Sequence, residues 1–71
     1  MNNLLMEAAN CIKAKGECIC VSHDGREHRV DTIIYNKFFE EAYGDICCLY
    51  LDDYEPVNVI ALKDIKAIKT V

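Results

Sequence analysis

The dipeptide Asp24-Gly25 separates two runs of alternating residues, and it constrains the fold more than any other feature of the chain. Glu17 to His23 (ECICVSH) and Arg26 to Ile34 (REHRVDTII) both read with a period of two. Successive strand side chains point to opposite faces, so this alternation predicts half-buried strands. Asp-Gly between them predicts a tight antiparallel hairpin, because a two-residue primed turn needs positive φ at both central positions. Such a turn sets the register: His23 opposite Arg26, Val21 opposite His28, and Ile19 opposite Val30. Ile19, Val21 and Val30 then share one face, while Ser22 meets Glu27 and Cys20 meets Arg29 on the other. A three-residue loop would instead set Val30 opposite Cys18. The first register is expected, because it gathers the aliphatic side chains.

Upstream, residues 3–15 predict a helix: Leu4, Leu5, Ala8, Cys11 and Ile12 form one stripe at helical spacing. Asn2 or Asn3 can cap its start, Glu7 early and Lys13 and Lys15 late suit the helix dipole, and Gly16 is a natural stop. Downstream, Tyr35 to Asp45 (YNKFFEEAYGD) breaks the strand pattern. Asn36 as cap, an apolar face from Phe38, Phe39 and Ala42, and Gly44 as stop predict a short helix or an ordered loop. Ile46 to Asp52 reads as a third strand, Asp53 to Pro56 as a turn and Val57 to Leu62 as a fourth strand. Lys63 to Ile65 reads as one helical turn, and Lys66 to Thr70 as a short fifth strand.

With 71 residues the chain is one domain, residues 1–71, with a helix at 3–15 and strands through 17–70. A domain this small buries only about 60% of the surface of its unfolded chain, so a partner subunit would help it. Five short antiparallel strands after one helix predict a mainly β fold: a five-stranded, strongly bent small barrel, Sm-like or SH3-like, with the helix on one end or face. The net charge of −4 disfavours long nucleic acid as a ligand. The amino-terminal stretch lacks the basic start and long apolar core of a signal peptide, and no apolar run is long enough for a membrane span. A soluble, cytoplasmic protein is expected. Cys11, Cys18, Cys20, Cys47 and Cys48 are odd in number and lack C-x-x-C spacing, so free thiols acting as small apolar side chains are expected.

The element order resembles that of the Sm-like (Hfq-like) family of small barrels. GECICVSHDGREHR is similar to the family's first hairpin, IIYN followed by Phe38 to its aromatic–acid–x–aromatic segment, and VIALKDIKAI (Val59 to Ile68) to its second signature. Asn36 stands where an aspartate is usual, and Ala61 and Leu62 where the family carries Arg-Gly. The V-x-x-L-x-D-I-x-x-I ending also suits an SH3-like barrel. The resemblance implies a ring of subunits, with the segments around Tyr35 and Lys63 converging on the inner rim of each subunit.

Three sets of residues carry candidate chemistry. Tyr35, Asn36, Lys37 and Phe38, with Lys63 and Asp64, could bind a nucleobase or small nucleotide: an aromatic stacks on a base, an amide reads its edge and a lysine meets phosphate. The alternative is that the two aromatics belong to the core and Lys63 is a solvated turn residue. His23 and His28, on one hairpin face in the expected register, could begin a metal site, but no third ligand is evident and a solvated hairpin tip is the simpler expectation. Glu40, Glu41, Asp45, Asp52, Asp53 and Glu55 cluster in the loops and could steer a basic partner, or serve only solubility. With no cofactor motif and no activated nucleophile, the expectation is a non-enzymatic, homo-oligomeric binding module that holds, and can sequester, a nucleobase or small nucleotide between subunits. The alternative is an SH3-like adaptor or inhibitor that binds a basic protein through acidic loops.

Overall fold

The hairpin forms one residue out of the expected register. In a computed structural model describing residues 3–51 and 59–71, strand β1 (Cys18–Ser22) pairs with β2 (Glu27–Val30) so that Cys18 faces Val30 and Cys20 faces His28. The loop is the three-residue alternative. The Ser22 amide donates to the Arg26 carbonyl at 2.9 Å, and the Gly25 amide to the Ser22 carbonyl at 2.9 Å. Only Gly25 adopts positive φ, +88°, whereas the two-residue turn would force Asp24 there too. Asp24 rewards this loop: its carboxylate accepts from the Ser22 hydroxyl and from the Arg26 amide, which holds its pKa below the ordinary value. A one-residue slip turns every side chain over. Cys18 and Cys20, fully buried with Val30, therefore form the core face, and Ile19 and Val21 are only half-buried.

The long second strand is divided. β2 ends at Val30 and β3 (Thr32–Tyr35) begins after Asp31 in a different sheet. One sheet has the order β2-β1-β6, with β6 at Ile65–Thr70; the other has β3-β4-β5, with β4 at Cys47–Tyr50 and β5 at Val59–Ala61. The expected mainly β, five-stranded barrel is thus corrected to a mixed α/β domain with six antiparallel strands in two three-stranded sheets without closure; the amino-terminal helix and the antiparallel strands stand. Asp31 makes the transfer, its amide donating to the Tyr50 carbonyl at 3.0 Å. The break there lets one alternating run serve both sheets. The 3-10 turn at Leu62–Asp64 links β5 to β6 where one helical turn is expected.

Helix α1 (Asn3–Lys15) buries Ala8 and Cys11 against Cys18, Cys20, Val30, Leu49, Ile60 and Ile65. The Gly16 amide closes it on the Ile12 carbonyl at 2.7 Å. β4 is buried on both faces: Cys47, Cys48 and Leu49 are each at most 2% exposed. Leu49 faces the core beneath α1. The Cys48 and Tyr50 face is covered by helix α2 (Lys37–Tyr43), whose Phe39 ring meets Tyr50 edge-on at 6.1 Å and Tyr43 at 5.7 Å. Of the apolar face expected from Phe38, Phe39 and Ala42, only Phe39 packs inward; Phe38 is 72% exposed and Ala42 is also exposed. All five cysteines are buried and free. Among the described residues, no helix is long and apolar enough to cross a membrane. The expected turn at residues 53–56 and the first two residues of the expected fourth strand lie outside the described residues.

Candidate functional site

Two surface regions collect the chemistry-bearing side chains. The first is the junction of β3 and α2. Asn36 caps α2, its side-chain oxygen accepting from the Phe38 amide at 2.7 Å, and its own amide donates to the Ile46 carbonyl at 2.9 Å. The side-chain NH₂ of Asn36 stays available as a donor. Tyr35 and Phe38 flank it, 62% and 72% exposed, so these aromatics are surface rings rather than core. Burial and contact with the Cys47 thiol raise the Tyr35 pKa. Lys37 is exposed at the start of α2.

Asp45 ties the 3-10 turn to the same end of the sheet. Its carboxylate accepts from the Lys63 amide at 2.9 Å and from the Cys47 amide at 3.3 Å. The Lys63 ammonium lies over Gly44, where an added Cβ would sit 2.7 Å from its nitrogen. A cation there complements the carboxyl end of α2, which has no basic residue of its own in its last turn. Gly44→Ala is therefore expected to cost about 1–2 kcal/mol, mainly because φ is +80° and partly because Lys63 must move. Urea unfolding measures it, and Lys63→Ala should remove the second part only.

The second region is a cleft of about 400 Å³ between the β1–β2 hairpin and the 3-10 turn. Ser22, His23, Asp24, Arg26 and His28 of the hairpin line it with Tyr43, β5 and Asp64. The structure thus divides the expected nucleotide set: Tyr35, Asn36, Lys37 and Phe38 lie at the β3–α2 junction, Lys63 reaches toward it through Gly44 and Asp45, and Asp64 lines the cleft instead. His23 and His28 both line the cleft, although not by the expected register. His28 faces Cys20 from β2, while His23 sits in the loop with its Nε2 3.3 Å from the Lys63 carbonyl. No group of three His, Cys, Asp or Glu among the described residues is placed to hold a metal ion.

Nucleophilic chemistry finds no support in this geometry. Ser22, His23 and Asp24 are consecutive in the cleft, but the Ser22 hydroxyl donates to Asp24 and His23 turns to Lys63. The Ser22 hydroxyl thus bonds the Asp24 carboxylate directly and not through an imidazole. Cys20 faces His28 rather than the expected Arg29, which bonds Glu17 instead and holds that carboxyl below its ordinary pKa. Burial pushes the Cys20 thiol up to about 12 and the Cys18 thiol to about 11, so neither is a thiolate at neutral pH.

The acidic set also divides. Glu40 and Glu41 are exposed on α2, Asp45 serves the internal bonds described above, and Asp52, Asp53 and Glu55 lie outside the described residues. The loss of Asp45 from a docking face and the shared cleft of the histidines both arise from tertiary contacts between residues 18 to 40 positions apart. No local spacing signals such contacts. No protein-family model, curated protein or solved structure matches the chain.

Proposed function

We propose that the protein is a non-enzymatic binding module that works as a homo-oligomer and holds a nucleobase or small nucleotide at the β3–α2 junction. The observation that carries this reading is the pair of exposed rings, Tyr35 and Phe38, on either side of an Asn36 fixed by its cap. Exposed aromatics on a rigid element are stacking platforms for bases, and the Asn36 NH₂ can donate to a base carbonyl. Lys37, exposed at the start of α2, is a cation beside these rings for a phosphate, and Asp45 holds the Lys63 backbone at the same end of the sheet. Assembly is supported by β5 and β6, which stand at the edges of their sheets and pair on one side only among the described residues. A neighbour's strand at these edges agrees with the ring implied by the Sm-like resemblance.

Mass measurement in solution followed by a nucleotide panel read by thermal shift tests this reading. The protein is expected to be oligomeric, and one base class is expected to raise its melting temperature by several degrees. Tyr35→Ala with Phe38→Ala should erase that shift and leave the unliganded melting temperature nearly unchanged, since both rings are exposed. A monomer would overturn the assembly, and an oligomer that no nucleotide stabilises would overturn the ligand.

A second reading has its own support. Glu40 and Glu41 are exposed on α2 beside the acid-lined cleft, which favours a module that binds a basic protein partner through its acidic surface.

A further inference from the structure

We propose that the cleft between the hairpin and the 3-10 turn is a receptor for a guanidinium group, presented as an arginine side chain by a basic partner. This rests on the second reading above and narrows it from an acidic surface to one pocket and one side chain. The argument begins with the charges that face the cleft. The hairpin contributes Asp24 and Arg26, the 3-10 turn contributes Asp64, and His23 and His28 complete the titratable set with Tyr43. Arg26 and Asp24 lie 3.4 Å apart, and Asp24 also accepts from Ser22 and from the Arg26 amide. That pair is internally satisfied. Asp64 makes no hydrogen bond and no ion pair among the described residues. Among the described residues the lining therefore has one carboxylate, Asp64, without a cation partner.

The rest of the lining selects the kind of cation. Val59, half-buried on β5, gives an apolar surface suited to a methylene stem, whose charged head can stay at the polar rim. Tyr43, 45% exposed, and the two imidazoles are rings in the lining, of the kind whose faces take a flat group. A guanidinium is planar, stacks on such faces and meets a carboxylate with two parallel N–H bonds, whereas an ammonium is a compact, strongly hydrated point charge. The volume of about 400 Å³ lies within the range of about 300–1,000 Å³ found for small-ligand sites. Glu40 and Glu41 lie on the same helix as Tyr43 and would draw a basic segment toward the opening. An anion is disfavoured by the Asp64 carboxylate.

Amide NMR on the intact protein tests the proposal, with N-acetyl-arginine amide, N-acetyl-lysine amide, and glycine-flanked peptides carrying a single arginine or a single lysine. The arginine compounds are expected to shift residues 22–28, 43 and 59–64, with the lysine compounds at least about fivefold weaker. The arginine peptide should bind more tightly than the free derivative if a protein is the source. Asp64→Asn should weaken the arginine compounds about tenfold, and Tyr43→Leu should weaken them severalfold and supply the reading if Asp64→Asn fails to fold. Equal binding of arginine and lysine compounds, unchanged binding to Asp64→Asn, or shifts confined to α2 would overturn the arginine site while leaving the acidic-surface reading in place. The absence of any shift at tens of millimolar would overturn both.

Discussion

Cys20→Lys is expected to abolish the cooperative unfolding transition, while Val21→Lys, one position along the same strand, leaves it intact. Cys20 is fully buried beneath α1, so a lysine there would bring an unpaired ammonium into the core. Such a group costs several kcal/mol even when it loses its proton. A domain of 71 residues has roughly 4–11 kcal/mol of stability in total, at about 0.05–0.15 kcal/mol per residue. Val21 instead points to the outer face, opposite Glu27 on β2, where a lysine can keep its head in water beside a carboxylate. Its expected cost is about 1 kcal/mol. Circular dichroism during urea titration measures both. The two-residue register predicts the reverse order, with Val21→Lys unfolded, so this pair of variants decides between the two hairpins.

Stability is expected to fall steeply as pH rises above about 9. Burial raises the pKa of Cys18 from 9.0 to about 11 and that of Cys20 from 9.0 to about 12; Cys18 and Cys11 add to the rise at Cys20, and Cys11 adds to it at Cys18, where the hydrogen bond with Cys20 acts the other way. An unfolded thiol loses its proton near its ordinary value, while the folded one keeps it, so between these limits the native state binds more protons. Stability then decreases with pH, by up to about 1.4 kcal/mol per pH unit for each such thiol. The contribution is complete below the unfolded pKa and is lost as pH climbs toward the folded values. Urea midpoints measured from pH 7.5 to 10 should drop, and Cys20→Ala should reduce the slope in the lower part of that window, before lysines and tyrosines titrate. A flat profile would show that the thiols are not desolvated. In the same samples, thiol reagents at pH 8 should react orders of magnitude more slowly with the folded chain than with the unfolded one.

The helical stripe of α1, its stop at Gly16, the hairpin at Asp24-Gly25 and the 3-10 turn before β6 were all legible in the sequence, because each depends on residues a few positions apart. The hairpin register was not. Counting aliphatic side chains favours Ile19 and Val21 inward, yet buried free cysteine is as apolar as the interior needs, and Asp24 stabilises the longer loop through its own carboxylate. The division of the second strand at Asp31 was hidden for a related reason. Nothing in REHRVDTII marks a change of partner, since the change is set by where β4 lies. Asn36 was legible as a cap, and the exposure of Phe38 follows from it: the cap fixes where α2 begins, so Phe39 and Tyr43 fall toward Tyr50 and Phe38 falls outward. The cleft itself needs β1, β5, α2 and the 3-10 turn at once, which no single stretch encodes.

The pairing of β1 with β6 joins Cys18 to Thr70, partners 52 positions apart. During synthesis the hairpin can form early, but its cysteine face has no second flank until almost the whole of this chain has emerged. A nascent chain halted before residue 65 would hold β1 as an open edge with apolar thiols on one side. The order in which the pieces meet thus makes the last strand the step that commits the domain, and slow, non-local closure of this kind leaves the waiting hairpin open to pairing with another chain.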